Sequence, residues 1–159
     1  ALLDTHLHID HIFGNNFMLD EYGLSARAHE ADSFWVEDAE KYAAMLGMRG
    51  ITPPPALGEY LKDGDVVKFG HSELKVIHVP GHSPGGLCFY AEKDKLLIAG
   101  DVLFQGSIGR ADLPGGDMHQ LLKGIREKLF VLPDDVRVIP GHGGFTTIGE
   151  EKRMNPFFQ

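Results

Sequence analysis

Residues 5–11 read Thr-His-Leu-His-Ile-Asp-His, which places His6, His8, Asp10 and His11 within six consecutive positions. All four are groups that bind metal ions. Further residues of the same kind stand far along the chain. His82 lies in Pro-Gly-His-Ser-Pro-Gly-Gly, Asp101 in Ala-Gly-Asp-Val-Leu-Phe, and His142 in Pro-Gly-His-Gly-Gly. Each follows an apolar run that reads as a strand, and each stands beside a glycine. A fold that uses them together must bring the ends of separate strands to one edge of a sheet, where backbone can approach an ion closely.

Alternation along an extended segment puts His6, His8 and Asp10 on one side, with His11 displaced from them. His6 and His8 can then share one metal ion, and Asp10 and His11 are placed for a second. A carboxylate such as Asp101 can bridge the two. Two divalent ions roughly 3.5–4 Å apart bind hydroxide and polarise a carbonyl or phosphoryl oxygen. Nitrogen and oxygen donors without thiolate suit zinc, iron or manganese. The remaining histidines, His29, His71, His78 and His119, read as polar and exposed, although His78 belongs to the strand leading to His82.

The local pattern is mixed. "ALLDT" reads as a short buried strand, apolar enough to be central. "FGNNFMLDEYG" reads as a helix ending at Gly23, and "LSARAH" as a strand. Trp35, Ala39, Tyr42, Ala43 and Leu46 recur at helical spacing, which predicts an amphipathic helix over about 32–46 with its aromatics in the core. Pro53, Pro54 and Pro55 mark a loop. "DGDVVKFGHSELKVIHVPG" and "GGLCFYAEKDKLLIAGD" each read as two strands joined by a turn, near Gly70–Ser72 and Glu92–Lys95. "GSIGRADLPGGD" is a glycine-rich loop. Asp117 and Gln120 are spaced as a capping box, and Leu121, Leu122, Ile125 and Leu129 give the next helix one apolar face. "VRVIPGHGG" is a last strand, followed by a short tail. Interspersed helices and hairpins predict a mixed α/β sheet flanked by helices, in a single domain spanning residues 1–159.

Composition narrows the function classes. Hydrophobic residues make up 43% and charged residues 24%, which is ordinary for a globular domain. No apolar stretch is long enough to span a bilayer. The net charge of −8, with no basic cluster, argues against nucleic-acid binding. The lone cysteine, Cys88, precludes an intrachain disulfide and fits a reducing compartment, so the expected location is the cytoplasm. Cys88 sits in an apolar strand and reads as a buried structural thiol.

"THLHIDH" matches the H-x-H-x-D-H motif of the metallo-β-lactamase-fold superfamily, and the later His, Asp and His match its remaining ligand motifs in order. The chain therefore resembles that superfamily over nearly its whole length. The resemblance implies an αβ/βα sandwich with two divalent metal ions at one edge. His6, His8 and His82 would hold the first, Asp10, His11 and His142 the second, and Asp101 would bridge them. The family begins with a further strand-rich segment before the motif, so the chain is expected to lack N-terminal strands of the sandwich.

Within the superfamily, "GDVLFQGSIGRADLPGGD" with "PGHGGFTTIGEEKRMNPF" looks like the small glyoxalase II-like hydrolases. Lactamases of the fold usually lack the His at position 11 and often carry Cys at 101, which argues against antibiotic hydrolysis. The resemblance implies hydrolysis of a thioester such as S-lactoylglutathione by a hydroxide bridging two metals, most often zinc. Asp10 would orient that hydroxide as a catalytic residue, and Arg110 would contact the substrate. The partner is then a small-molecule thioester. Glyoxalase II proper carries a C-terminal helical domain that helps to hold glutathione. Nothing after His142 resembles it, so the thiol carrier stays open, as does the oligomeric state. The alternative is a mononuclear iron persulfide dioxygenase, which resembles the Gly-Arg-x-Asp turn but uses two His and one Asp. A nuclease of the same fold is disfavoured by acidity and size.

Overall fold

The structure, a computed structural model, describes residues 1–45 and 47–159. Leu46, the last residue of the expected helix over 32–46, lies outside the described residues. In chain order the elements are β1 (Leu2–Leu3), α1 (Ile9–Ile12), α2 (Asn15–Tyr22), β2 (Ala26–Arg27), α3 (Ser33–Glu37), α4 (Ala39–Met45), β3 (Val66–Phe69), β4 (Ser72–His78), β5 (Leu87–Ala91), β6 (Leu96–Gly100), β7 (Leu103–Phe104), β8 (Ser107–Ile108), α5 (Met118–Gly124), β9 (Arg137–Pro140), β10 (Thr146–Thr147) and α6 (Ile148–Met154). Among the described residues no helix is long and apolar enough to cross a membrane.

The main sheet has six strands in the order β10-β9-β6-β5-β4-β3. Every neighbouring pair is antiparallel except β6 and β9, which are parallel. Strands β4, β6 and β9 therefore run the same way, and the chain leaves all three at one edge. His82 follows β4, Asp101 follows β6 and His142 follows β9. The backbone N–H of Leu87, at the start of β5, donates to the carbonyl of Thr5 at 2.7 Å. That bond brings the segment before His6 to the same edge.

Strand β5 shows why the sheet is the centre of the molecule. All five of its residues are buried. Successive side chains of a strand point to opposite faces. Cys88 and Tyr90 join Leu97, Ala99, Leu121, Ile125 and Leu129 in one cluster, beneath α5 and α6. Leu87, Phe89 and Ala91 join Leu61, Val67, Leu74 and Val76 in a second cluster, with Leu3 of β1 against it. Both faces are covered, so the run reads as continuously apolar. A third cluster gathers Leu7, Ile9, Ile12, Trp35 and Ala43 beside the metal-ligand loops.

Several expectations hold. The α/β fold class holds, as do the hairpin turns at Gly70 and at Glu92–Lys95. Gly23 ends α2 with φ +64°, where its N–H caps the carbonyl of Leu19. Others need correction. The helix expected over 32–46 is two helices, α3 and α4, divided at Asp38, which leaves helical geometry with φ −107° and ψ 25°. The bend lets Trp35 and Ala43 reach the same cluster, which a straight helix with a polar Asp in its interior serves less well. "ALLDT" is a strand, but only Leu2–Leu3 pair, with β2 alone, and both residues are half-buried. The Asp117 cap forms, accepting from Gln120 N–H at 3.0 Å. The reciprocal half of the box does not: Gln120 donates to the Asp117 carboxylate, and Asp117 N–H donates to Gly81. The short tail forms β10 and then α6, with Thr147 accepting from Glu150 N–H at the start of the helix.

Candidate metal centre

The opening motif is extended only as far as His8. The Ile9–Ile12 turn is helical, starting from His8, whose carbonyl accepts from His11 N–H at 3.0 Å. Asp10 and His11 therefore project from one turn of helix, which corrects the alternation expected for an extended segment. Ile9 and Ile12 are buried beneath that turn, and their burial selects it: a strand would send one of the two to solvent.

Ligand-type atoms converge in three overlapping groups, each within 4.8 Å: His6 with His8 and His82, His6 with His11 and Asp101, and Asp10 with His11 and His142. Asp101 stands between the outer groups. One of its oxygens lies 3.5 Å from His11 Nε2, and the other lies 3.6 Å from His82 Nε2 and 3.5 Å from His142 Nε2. Asp10 lies 3.3 Å from His142 Nε2 and 3.5 Å from His11 Nε2. His6, His8, His82 and Asp101 are buried, His11 is half-buried, and Asp10 and His142 are exposed. The first group is thus deep, and the second opens to solvent.

The donor atoms fit divalent cations. His82 donates from Nδ1 to the carbonyl of Arg110 at 2.7 Å, which leaves its Nε2 as a lone pair. That lone pair faces His6 Nε2 at 3.3 Å. His8 Nε2, His11 Nε2 and one Asp101 oxygen are buried with no hydrogen-bond partner. Buried polar atoms are rarely left so, and orphans within these ligand groups are what divalent cations satisfy. Burial pushes His6 well below the usual imidazole range and His8 to about 3, and it also lowers His82. These three are neutral, as metal ligands must be. His11 is raised: burial opposes its charge, but Asp101 and Asp10 outweigh it. Asp101 is lowered, because His11, His82 and His142 outweigh its burial. A set of imidazoles that exclude protons beside a carboxylate that refuses them is suited to holding metal.

Two glycines make room. A Cβ at Gly141 would collide with the Asp101 carboxylate and the His11 ring, and one at Gly109 would collide with the Asp101 backbone. Beside the centre lies a cavity of about 670 Å³ with one apolar wall, including Trp35, Tyr42, Met48 and Leu113. Trp35 packs edge-on against His8, with ring centroids 4.4 Å apart.

Arg110 lines the cavity, but its guanidinium is held by Asp112 in two 2.7 Å bonds. Its backbone, which orients His82, does work that no sequence signal marked. Among the other histidines, His71 and His119 are exposed as expected. His29 and His78 are half-buried and stack face to face at 4.0 Å, which corrects the expectation that they are simply solvated.

A model of the metallo-beta-lactamase superfamily matches residues 1–142. The chain belongs to the metallo-β-lactamase superfamily. This superfamily member is 39% identical to hydroxyacylglutathione hydrolase GloC of Haemophilus influenzae, covering 99% of this chain and 74% of that protein. It is 38% identical to the probable metallo-hydrolase YqgX of Bacillus subtilis, with the same coverage of 99% and 74%. Among solved structures, TTHA1623 in a di-iron-bound form superposes with a TM-score of 0.90 at 39% identity, over 99% of this chain and 76% of that one. BLEG-1, a B3 metallo-beta-lactamase, superposes with a TM-score of 0.92 at 40% identity, over 99% and 76%. The metallo-β-lactamase fold and a metallohydrolase's divalent-metal chemistry follow.

Proposed function

We propose that the chain is a binuclear metallohydrolase that cleaves a small-molecule thioester such as S-lactoylglutathione. The observation that carries this reading is the position of Asp101, whose carboxylate lies within 3.6 Å of His82 in one group of ligand atoms and within 3.5 Å of His11 and His142 in the other. In this reading His6, His8 and His82 would hold one ion, Asp10, His11 and His142 would hold the other, and Asp101, which stands between the two groups, would be shared. Zinc is the favoured metal, with iron or manganese as substitutes, and the cytoplasm is the favoured location. Likeness to GloC supports the thioester.

The chemistry supplied by bound divalent ions is acidification of a water and polarisation of the scissile carbonyl. The chain's own groups do the rest. Asp10, exposed in the solvent-facing group, orients the attacking water. His82 is held on target by its bond to the Arg110 carbonyl. Water adds its oxygen to the carbonyl carbon, the carbon–sulfur bond breaks, and the products are a carboxylic acid and a thiol. No serine or cysteine nucleophile is required.

The test is to load the chain with zinc or iron, count the ions, and assay S-lactoylglutathione, a cephalosporin, and oxygen uptake on glutathione persulfide. Thioester turnover with two ions per chain supports the proposal. One iron with oxygen uptake supports the dioxygenase instead, and turnover of the cephalosporin alone supports a lactamase. Arg110→Ala is expected to raise KM for a glutathione thioester by about 5-fold while leaving kcat nearly unchanged. Steady-state kinetics check this, and an unchanged KM removes Arg110 from the substrate site.

A further inference from the structure

Asp32 is fully buried and has no place in the seven-residue ligand set, yet it bonds residues adjacent to members of that set in the chain. One of its carboxylate oxygens accepts from Ser83 Oγ at 2.8 Å and from Leu7 N–H at 3.2 Å. The other accepts from Gly85 N–H at 2.6 Å. Leu7 stands between His6 and His8, and Ser83 follows His82. These three bonds reach both segments that carry His6, His8 and His82. None of them reaches the Asp10–His11 turn, Asp101 or the His142 loop.

The arrangement is costly unless it is needed. A buried carboxylate must be hydrogen-bonded or paired, and the ion pairs among the described residues include none to Asp32. Its donors are a hydroxyl and two backbone N–H groups. Gly85 allows the approach, since a Cβ there would stand 2.6 Å from the carboxylate carbon. Trp35, three residues on, braces His8 from the same side. The segment from Asp32 to Trp35 thus grips one half of the centre by its backbone and by one ring.

We propose that Asp32 is the positioning residue of the His6–His8–His82 half of the centre, acting on that half and not on the half formed by Asp10, His11 and His142. The inference rests on the two-metal reading above. Groups that orient metal ligands typically change metal affinity by about 10–100-fold. An Asp32 that merely stabilised the fold would weaken both halves alike.

The experiment titrates zinc against a competing chelator in the unaltered chain, Asp32→Asn, Asp32→Ala, Ser83→Ala and His142→Ala. His142→Ala identifies the affinity class of the solvent-facing half by weakening it. Asp32→Ala is expected to weaken the other class by about 10–100-fold and to leave the class that depends on His142. Asp32→Asn keeps the shape and two of the acceptor contacts, and Ser83→Ala removes one bond with the carboxylate in place. Both are expected to move the same class by less. They carry the test should Asp32→Ala fail to fold, which the thermal transition of each metal-free form reveals. Equal weakening of both classes, or none, overturns the proposal. An unaltered chain that binds a single ion overturns the two-metal reading instead. Asp32 is then judged on that ion, and an unchanged affinity in the variants overturns its role.

Discussion

Asp101→Ala is expected to lower kcat/KM for a thioester by more than about 100-fold, beyond the range typical of groups that merely orient metal ligands. Among the described residues, Asp101 is the one side chain with oxygens near His11, His82 and His142 together. Its removal takes away the carboxylate that lies between His82 on one side and His11 and His142 on the other. His119→Ala is the control. His119 is exposed in the first turn of α5, and a surface change there is expected to shift stability by no more than about 0.5 kcal/mol. Steady-state kinetics on the metal-loaded variants decide the matter. Equal losses from the two substitutions would refute the placing of Asp101 at the centre.

Stripping the metal is expected to lower the thermal midpoint by roughly 8–16 °C for each site that had been saturated. An ion at about 1,000 times its dissociation constant stabilises the folded chain by about 4.1 kcal/mol, and each kcal/mol moves the midpoint of a chain of this size by about 2–4 °C. The metal-free chain is then expected to weaken further in acid. His8 has a folded pKa of about 3 against an ordinary 6.5, and burial is the main cause. Its contribution is complete above pH 6.5 and is lost as pH falls towards 3, by about 1.4 kcal/mol per unit. His6 moves the same way. Asp4 opposes them, because burial raises its pKa to about 6. Its contribution is complete below 3.8 and is lost as pH rises through 6. His82 and Asp101 act with the two imidazoles, and Asp32 and His11 act with Asp4; the large shifts of His6 and His8 set the expected net change as destabilisation on acidification, measurable by calorimetry of the metal-free chain between pH 7 and 4. A midpoint that rises over that range would contradict the assignment.

The seven ligand-type residues were legible because chemistry and chain order coincide. Four of them lie in one short stretch, and His82, Asp101 and His142 each follow an apolar run at a glycine. The sheet then carries out the convergence, since β4, β6 and β9 run in one direction. What escaped is what depends on tertiary partners. The turn from Ile9 to Ile12 is helical because both isoleucines find the same cluster, and periodicity over so few residues cannot show that. The division at Asp38 follows from where Trp35 and Ala43 must reach. The C-terminal helix did carry a signal, Thr147 with Glu150 three positions later, which is the spacing of a cap. Asp32 carried none: an acid before a helix reads as an N-cap, and only the fold shows its carboxylate turned inward to Leu7, Ser83 and Gly85.

Strand β5, buried on both faces, also carries the chain's one thiol. Cys88 is fully enclosed, its sulfur lies 3.6 Å from the Ala99 carbonyl on the neighbouring strand, and burial pushes its pKa far up. A thiolate is the form that alkylating reagents attack. In the closed molecule that form is suppressed, and the sulfur has no path to solvent. Labelling of this single position therefore proceeds only through openings that part β5 from its neighbours. The fold has built in a clock: the rate at which Cys88 is capped records how often the central sheet comes undone, on a signal that no second cysteine confuses.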